Sequence, residues 1–336
     1  MPFESLSIET LGDIYIGLLA LAILLYAILD GYDLGVGVLL PPREEAFRDD
    51  MIASIGPYWD ANETWLVLAV GLLLFAFPDA HSAILQTLYL PATLMLLGLI
   101  LRGVSFDFRA KVAQVKKRRW DLSFKYGSLL TTLAQGYMLG IWVTGLRTDW
   151  WAQGFALLAA FGLTAAYAFI GSCWLILKSE SALQEKAIYW ARRGLVVLSI
   201  GIIAVSIANL TLHENVRELW LTSHWGFVLM AIPIACFCLL SFCGVILKRM
   251  PATNGKGEKL PFMIAMTVFI LCFTAFGLSY YPFVVPGQMT IADAISDANS
   301  LRFLLVGAVI VVPCILAYTF MVYRIFAGKA EKLTYY

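Results

Sequence analysis

Histidine is scarce in this chain: His81, His213 and His224 are the three among 336 residues, and all fall at or beyond the expected outer ends of apolar segments. A haem held inside a membrane bundle needs inward-facing histidine, usually opposed by a second His or a Met, so the chain offers at most a single ligand at the outer edge, His81 or His224, and the better reading is that these are interfacial histidines. Met95, Met138 and Met230 read as core filler. Charge is thin as well, at 14% of residues against 60% apolar, and a net charge of +1 offers nothing to nucleic acid; soluble domains run near a quarter charged. No P-loop, zincin or nucleophile-elbow pattern occurs, and no connection between apolar runs is long enough for a soluble domain. Metal-centred or hydrolytic chemistry carried by this chain alone is therefore not expected.

Six cysteines are present, Cys173, Cys236, Cys238, Cys243, Cys272 and Cys314, all inside apolar runs. Cys236 and Cys238 point about 200° apart on a helix, and no histidine flanks them at ligand spacing. They read as small buried hydrophobes.

What the sequence does have is apolar length, which makes it an all-α polytopic membrane protein. Nine segments offer the roughly 20 residues a crossing helix needs. They run about 12 to 40, 51 to 77, 80 to 102, 122 to 146, 152 to 177, 188 to 211, 222 to 247, 260 to 284 and 301 to 326. The first contains Asp13 and Asp30 and precedes no small-residue cleavage pattern, so it reads as a retained span. Of the 24 Lys and Arg residues, 20 fall in the connections on one side, while Arg147, Arg217 and Arg302 lie on the other. By the positive-inside rule the basic side is cytoplasmic, the N-terminus periplasmic or its topological equivalent, and the C-terminus cytoplasmic. Only an odd number of spans allows that alternation. Trp150, Trp151, Trp220 and Trp225 are expected at the outer boundary and Trp120 at the inner one. The longest outer connection, roughly 285 to 301, reads as a surface helix.

A weak internal echo joins Tyr26, Ala27 and Gly31 to Tyr167, Ala168 and Gly171. It suggests two related four-helix units, residues 1–150 and 151–290, followed by a ninth helix and tail over 291–336. The pairs Gly31 with Gly35, and Gly136 with Gly140, predict close helix approach.

Against this apolar background the stretch from Leu29 to Trp65 stands out, because it carries Asp30, Asp33, Asp60 and Glu63. Helix rise places Asp33 about 12 Å from the inner end of span 1 and Asp60 about 15 Å into span 2, with Asp30 and Glu63 one turn deeper. The spacing predicts a two-rung ladder of carboxyls opening toward the cytoplasm, with Tyr32, Tyr58, Asn62 and Thr64 as hydrogen-bond neighbours. An ionised acid at mid-membrane costs about 2.5 to 3.5 kcal/mol on insertion scales, so such groups face protein or water and often relay protons. Two readings stay open. The acids line a proton path, or they glue helices by bonding one another, the indoles of Trp59 or Trp65, or Arg102.

LDGYDLGVGVLL, IGPYWDANETWLVLAVGLLLFAFP, LRGVSFDFRAK and YYPFVVP occur in that order across nearly the whole chain. Together they resemble subunit II of cytochrome bd-type quinol oxidases, and the compact length resembles the cyanide-insensitive branch. The resemblance implies a homologous subunit I as partner, which binds quinol and carries two b-type haems and haem d, and a small single-helix subunit can accompany the pair. The complex oxidises quinol and reduces O2 to water, taking protons from the cytoplasm. Subunit II itself ligates no haem; it supports the haem sites, lines proton or oxygen routes, and sometimes holds a structural quinone. By motif, Asp33 and Asp60 match acids of a proton route, Trp65 a tryptophan near an oxygen route, and Asp107 with Arg109 a cytoplasmic-loop pattern. Tyr58 departs from members with His at that place. The alternative reading is a stand-alone proton-coupled membrane transporter. Against it, the acids lie nearer the cytoplasmic edge than the midplane, and the repeat is parallel.

Overall fold

The computed structural model describes residues 3–212, 214–224, 226–251 and 257–330. In chain order the helices are α1 (Ile8–Leu39), α2 (Glu45–Ile55), α3 (Trp59–Ala76), α4 (Pro78–Lys111), α5 (Gln114–Val143) and α6 (Trp150–Lys178). They continue with α7 (Ser181–Leu212), α8 (Glu214–Leu221), α9 (Gly226–Lys248) and α10 (Leu260–Tyr280). A hairpin of β1 (Phe283–Val285) and β2 (Met289–Thr290), the single turn α11 (Ile291–Ala294) and α12 (Ala298–Ile325) complete the chain.

Local chemistry marks several starts. Ser7, Asp149 and Asp297 accept backbone amides at the first turns of α1, α6 and α12, and Thr290 and Asp293 form a reciprocal capping box on α11. The Ala152 amide, with Arg147 beside it, holds the Asp149 carboxyl below its ordinary range.

Among the described residues eight helices are long and apolar enough to cross a membrane: α1, α3, α4, α6, α7, α9, α10 and α12. The expected fourth span, α5, has 30 residues but is not among them. Its composition has a reason. α5 lies along both α4 and α6 and touches α1, so between residues 121 and 143 only Tyr126 is exposed. Ser128, Thr131, Thr132 and Gln135 therefore meet protein, and each hydroxyl or amide finds an oxygen there.

Four expectations are corrected. The segment 51 to 77 is not one helix: the chain breaks at Gly56, Pro57 and Tyr58, separating α2 from α3. The basic connection after span 3 is largely helical, because α4 runs to Lys111 and reaches about 51 Å at 1.5 Å per residue, well past a bilayer core of about 30 Å. The outer connection after α10 is chiefly the β1/β2 hairpin, with helix over Ile291–Ala294 alone. The span drawn from 222 is preceded by the separate helix α8.

Side-chain contacts sort the bundle into two ends. At one, Arg302 donates to Leu6 O, Tyr15 to Leu301 O, Trp142 to Val284 O and Trp220 to Ser279 Oγ. At the other, Lys186 pairs with Glu44, Arg192 donates to Leu247 O, and Lys329 reaches Ser179 O and Glu258. The first end holds the start of the chain and the second its final described residues, with most of the basic side chains. Trp150 and Trp151 are exposed at the first end, as expected of boundary residues, whereas Trp220 is buried on Ser279. Trp225 lies outside the described residues.

At the centre α1 crosses α6 with the two echo segments in contact. A Cβ on Gly35 would lie 1.8 Å from Tyr167 O, and one on Gly136 would lie 2.6 Å from Ala159 O in the neighbouring α5/α6 contact. Glycine is what allows both approaches.

Candidate functional site

Asp30 and Asp33 sit three residues apart on α1, hence on one face of that helix, and both are wholly buried. α3 reaches them with Asn62. Its Nδ2 donates to Asp33 Oδ2 at 2.8 Å, to Tyr32 Oη at 3.0 Å and to Leu29 O at 3.2 Å. From α12, Tyr323 donates to Asn62 Oδ1 at 3.1 Å and shares a 2.6 Å hydroxyl contact with Tyr32. Asp33 is thereby tied to three other helix-borne polar groups, yet its Oδ1 has no partner.

The deeper rung is an ion pair. Arg102 Nη2 of α4 lies 2.5 Å from Asp30 Oδ1, with both side chains essentially inaccessible. Arg102, expected in a basic loop, is thus inside the bundle. Its Nε and Nη1 lack further partners, as does Asp30 Oδ2. Glu63, half-buried, lies within electrostatic reach of both members. Further toward the other end Gln135 donates to Tyr26 Oη at 2.5 Å and leaves its own Oε1 unpartnered. Trp65 is fully buried and its indole N–H has no protein partner, so it does not bond the acids.

Asp60 does not join this chain. It is exposed, because residues 60 and 62 are about 200° apart on a helix and Asn62 occupies the side of α3 that faces α1. Tyr58 turns to Phe326 O, and Thr64 to Ala61 O on its own helix. The ladder is therefore asymmetric: two carboxylates on α1, opposed by Asn62 on α3 and Arg102 on α4.

The motif pair Asp107 and Arg109 is not a pair and not in a loop. Both lie in the last turns of α4, Asp107 exposed and Arg109 buried. Arg109 Nε bonds Asp121 Oδ1 at 2.5 Å and its Nη2 bonds Asp49. Arg48 Nε takes the other oxygen of Asp121 at 2.7 Å, and Arg48 Nη1 donates to Pro42 O. This cluster joins α2, α4 and α5. Asp121 was hidden in the sequence by the arginines and lysines around it; a lone acid beside a basic run was the available signal.

His81 is half-buried in the first turn of α4 and His224 is exposed, so neither faces the bundle interior; His213 lies outside the described residues. These positions do not fit a haem held in this chain. Among the described residues no group of three or more His, Cys, Asp or Glu is placed to hold a metal ion. Cysteines 173, 236 and 243 are buried as expected, whereas Cys238 and Cys314 are exposed.

The chain is thus a helical membrane protein with a run of ionisable groups inside its bundle. The family described as cytochrome bd terminal oxidase subunit II matches residues 11–326. The chain belongs to that family and is a subunit of an oxidoreductase complex. It is 28% identical over 373 positions to the Escherichia coli K12 protein named cytochrome bd-I ubiquinol oxidase subunit 2, covering 96% of each chain. It is 26% identical to the Bacillus subtilis cytochrome bd ubiquinol oxidase subunit 2, over 97% of this chain and 99% of that one. Its fold matches a chain of the bd oxidase of Geobacillus thermodenitrificans with a TM-score of 0.76 at 18% identity, covering 94% of this chain and 98% of the other.

Proposed function

We propose that this chain supports quinol oxidation and O2 reduction in a homologous, haem-bearing subunit I by conducting protons from the cytoplasm along α1. Family membership favours this over a stand-alone transporter. The observation that carries the path is that Asp30, Asp33 and Arg102, all fully buried, keep polar atoms without protein partners. Buried polar atoms in native proteins are nearly all satisfied, and orphans strung along one helix suit groups that exchange protons through water. The run extends from Asp33 through the Asp30 and Arg102 pair to Tyr26 and Gln135.

In this reading the basic end is cytoplasmic, and α5 is the ninth crossing that puts the two termini on opposite sides. Asp60 belongs at the junction with subunit I, since an ionisable group exposed within an apolar span needs a second protein to shield it from lipid. Trp65, buried beside the path, is the residue we assign to an oxygen route. We read α1, α3, α4 and α5 as one unit and α6, α7, α9 and α10 as its repeat, with α12 appended. In support, α1 packs on α3 as α6 packs on α7, and α4 on α5 as α9 on α10.

The test is Asp33→Asn in the complex purified with its partner. Quinol-driven O2 consumption should fall about a hundredfold, the low end of what a positioned proton-transfer group contributes, with haem content unchanged. Normal turnover would remove the path; loss of haem would replace it with an assembly role.

A further inference from the structure

Lys178 ends α6 at the basic end of the bundle, and it is 5% exposed with no carboxylate paired to it among the described residues. A buried ammonium without a counter-charge is costly, so its surroundings must hold it. Its Nζ donates to Tyr58 Oη at 2.7 Å and to Phe326 O at 2.7 Å. It also lies 5.0 Å from the Tyr58 ring centre and 5.1 Å from that of Trp174, within cation–π range.

Three helix ends meet here: α3 brings Tyr58, α6 brings Lys178 and Trp174, and α12 brings Phe326 and Tyr323. The charged groups around Lys178 are few. Lys329 approaches from the segment after α12 and is itself paired with Glu258 at 2.5 Å. From α1, Asp33 lies within electrostatic reach of both Tyr58 and Tyr323. Tyr58 faces both networks: its hydroxyl donates to Phe326 O at 2.5 Å, and its ring lies 4.8 Å from that of Tyr323, whose hydroxyl bonds Asn62 beside Asp33.

We propose that Lys178, positioned by Tyr58 and the Phe326 carbonyl, collects protons at the inner mouth of the Asp33 path. The inference rests on the proton-path reading above. In each passage the ammonium passes one proton to the Tyr58 hydroxyl, which turns from Phe326 O to release its own proton to the Asp33 carboxylate, and the neutral amine then takes one proton from the aqueous side. The charge of the mouth is restored, and no other reactant is needed. A buried lysine with no carboxylate paired to it suits this because the ammonium can release its proton, which a guanidinium cannot.

The experiment compares Lys178→Met, Lys178→Arg, Tyr58→Phe and Asp33→Asn in the assembled complex. It reads quinol-driven O2 consumption across pH in H2O and D2O, together with haem content. Lys178→Met should slow turnover about a hundredfold, as for loss of a positioned proton donor, with a larger solvent isotope effect and normal haem. Lys178→Arg should be equally slow. Full activity in Lys178→Arg would mean that only charge and packing matter and would overturn the proposal. If Asp33→Asn is slow while Lys178→Met turns over normally, the mouth is elsewhere and the path stands. If Asp33→Asn is also normal, path and mouth fall together. Should Lys178→Met fail to assemble, Tyr58→Phe decides: slowing with a raised isotope effect supports the mouth, and wild-type behaviour overturns it.

Discussion

Around Asp121 and around Asp30 the chain buries carboxylates beside arginines, yet the two sites are finished differently. Both oxygens of Asp121 are taken, one by Arg48 and one by Arg109, and Arg109 also reaches Asp49. Asp30 and Arg102 meet at a single contact and leave the rest of their polar atoms unmatched. Closed networks of buried charge fix helices in place; open ones retain capacity for water and protons. The comparison separates a closed cluster of buried charge from an open one within the same half of the bundle, and the proposed path uses the open one.

Variants that break the closed site should do the most damage to stability. Asp121→Ala leaves two guanidinium groups buried without their shared acid, which costs about 3 to 5 kcal/mol; the subunit should be lost from the purified complex or melt far earlier. At the open site Asp30→Leu alone strands Arg102 and should cost about 3 kcal/mol. The double change Asp30→Leu with Arg102→Met should recover most of that stability while turnover stays low. If turnover recovers too, the pair is glue. Asp60→Asn, on a side chain exposed on this subunit, should shift stability least, by no more than about 0.5 kcal/mol, and a larger loss in the complex would mean that Asp60 is ion-paired across the junction with subunit I rather than only covered by it.

The same contrast explains what the sequence disclosed. Long apolar runs and the bias of Lys and Arg to one side required an all-helical membrane bundle, and four acids in the first hairpin marked where to look. The face of α3 was not legible, because that helix is apolar nearly all round and Asn62, not Asp60, turns toward α1. Arg102 reads both as part of the basic loop and as a candidate partner of the acids; the second reading holds, because α4 continues past the membrane core and places it on Asp30. The partners of Arg109 come from α2 and α5, and such pairings depend on tertiary packing rather than spacing. α5 shows the converse: its polar residues argue against a span in isolation, yet they are tolerated because α4, α6 and α1 cover them.

Proton uptake recorded with a pH-indicating dye during quinol oxidation, in the assembled Asp33→Asn complex with haem content matched to wild type, tests the central claim most directly. Uptake from the basic side should slow about a hundredfold in step with O2 consumption. Uptake and O2 consumption at wild-type rates would show that the open carboxylates of α1 carry no protons, and that they are held there for packing alone.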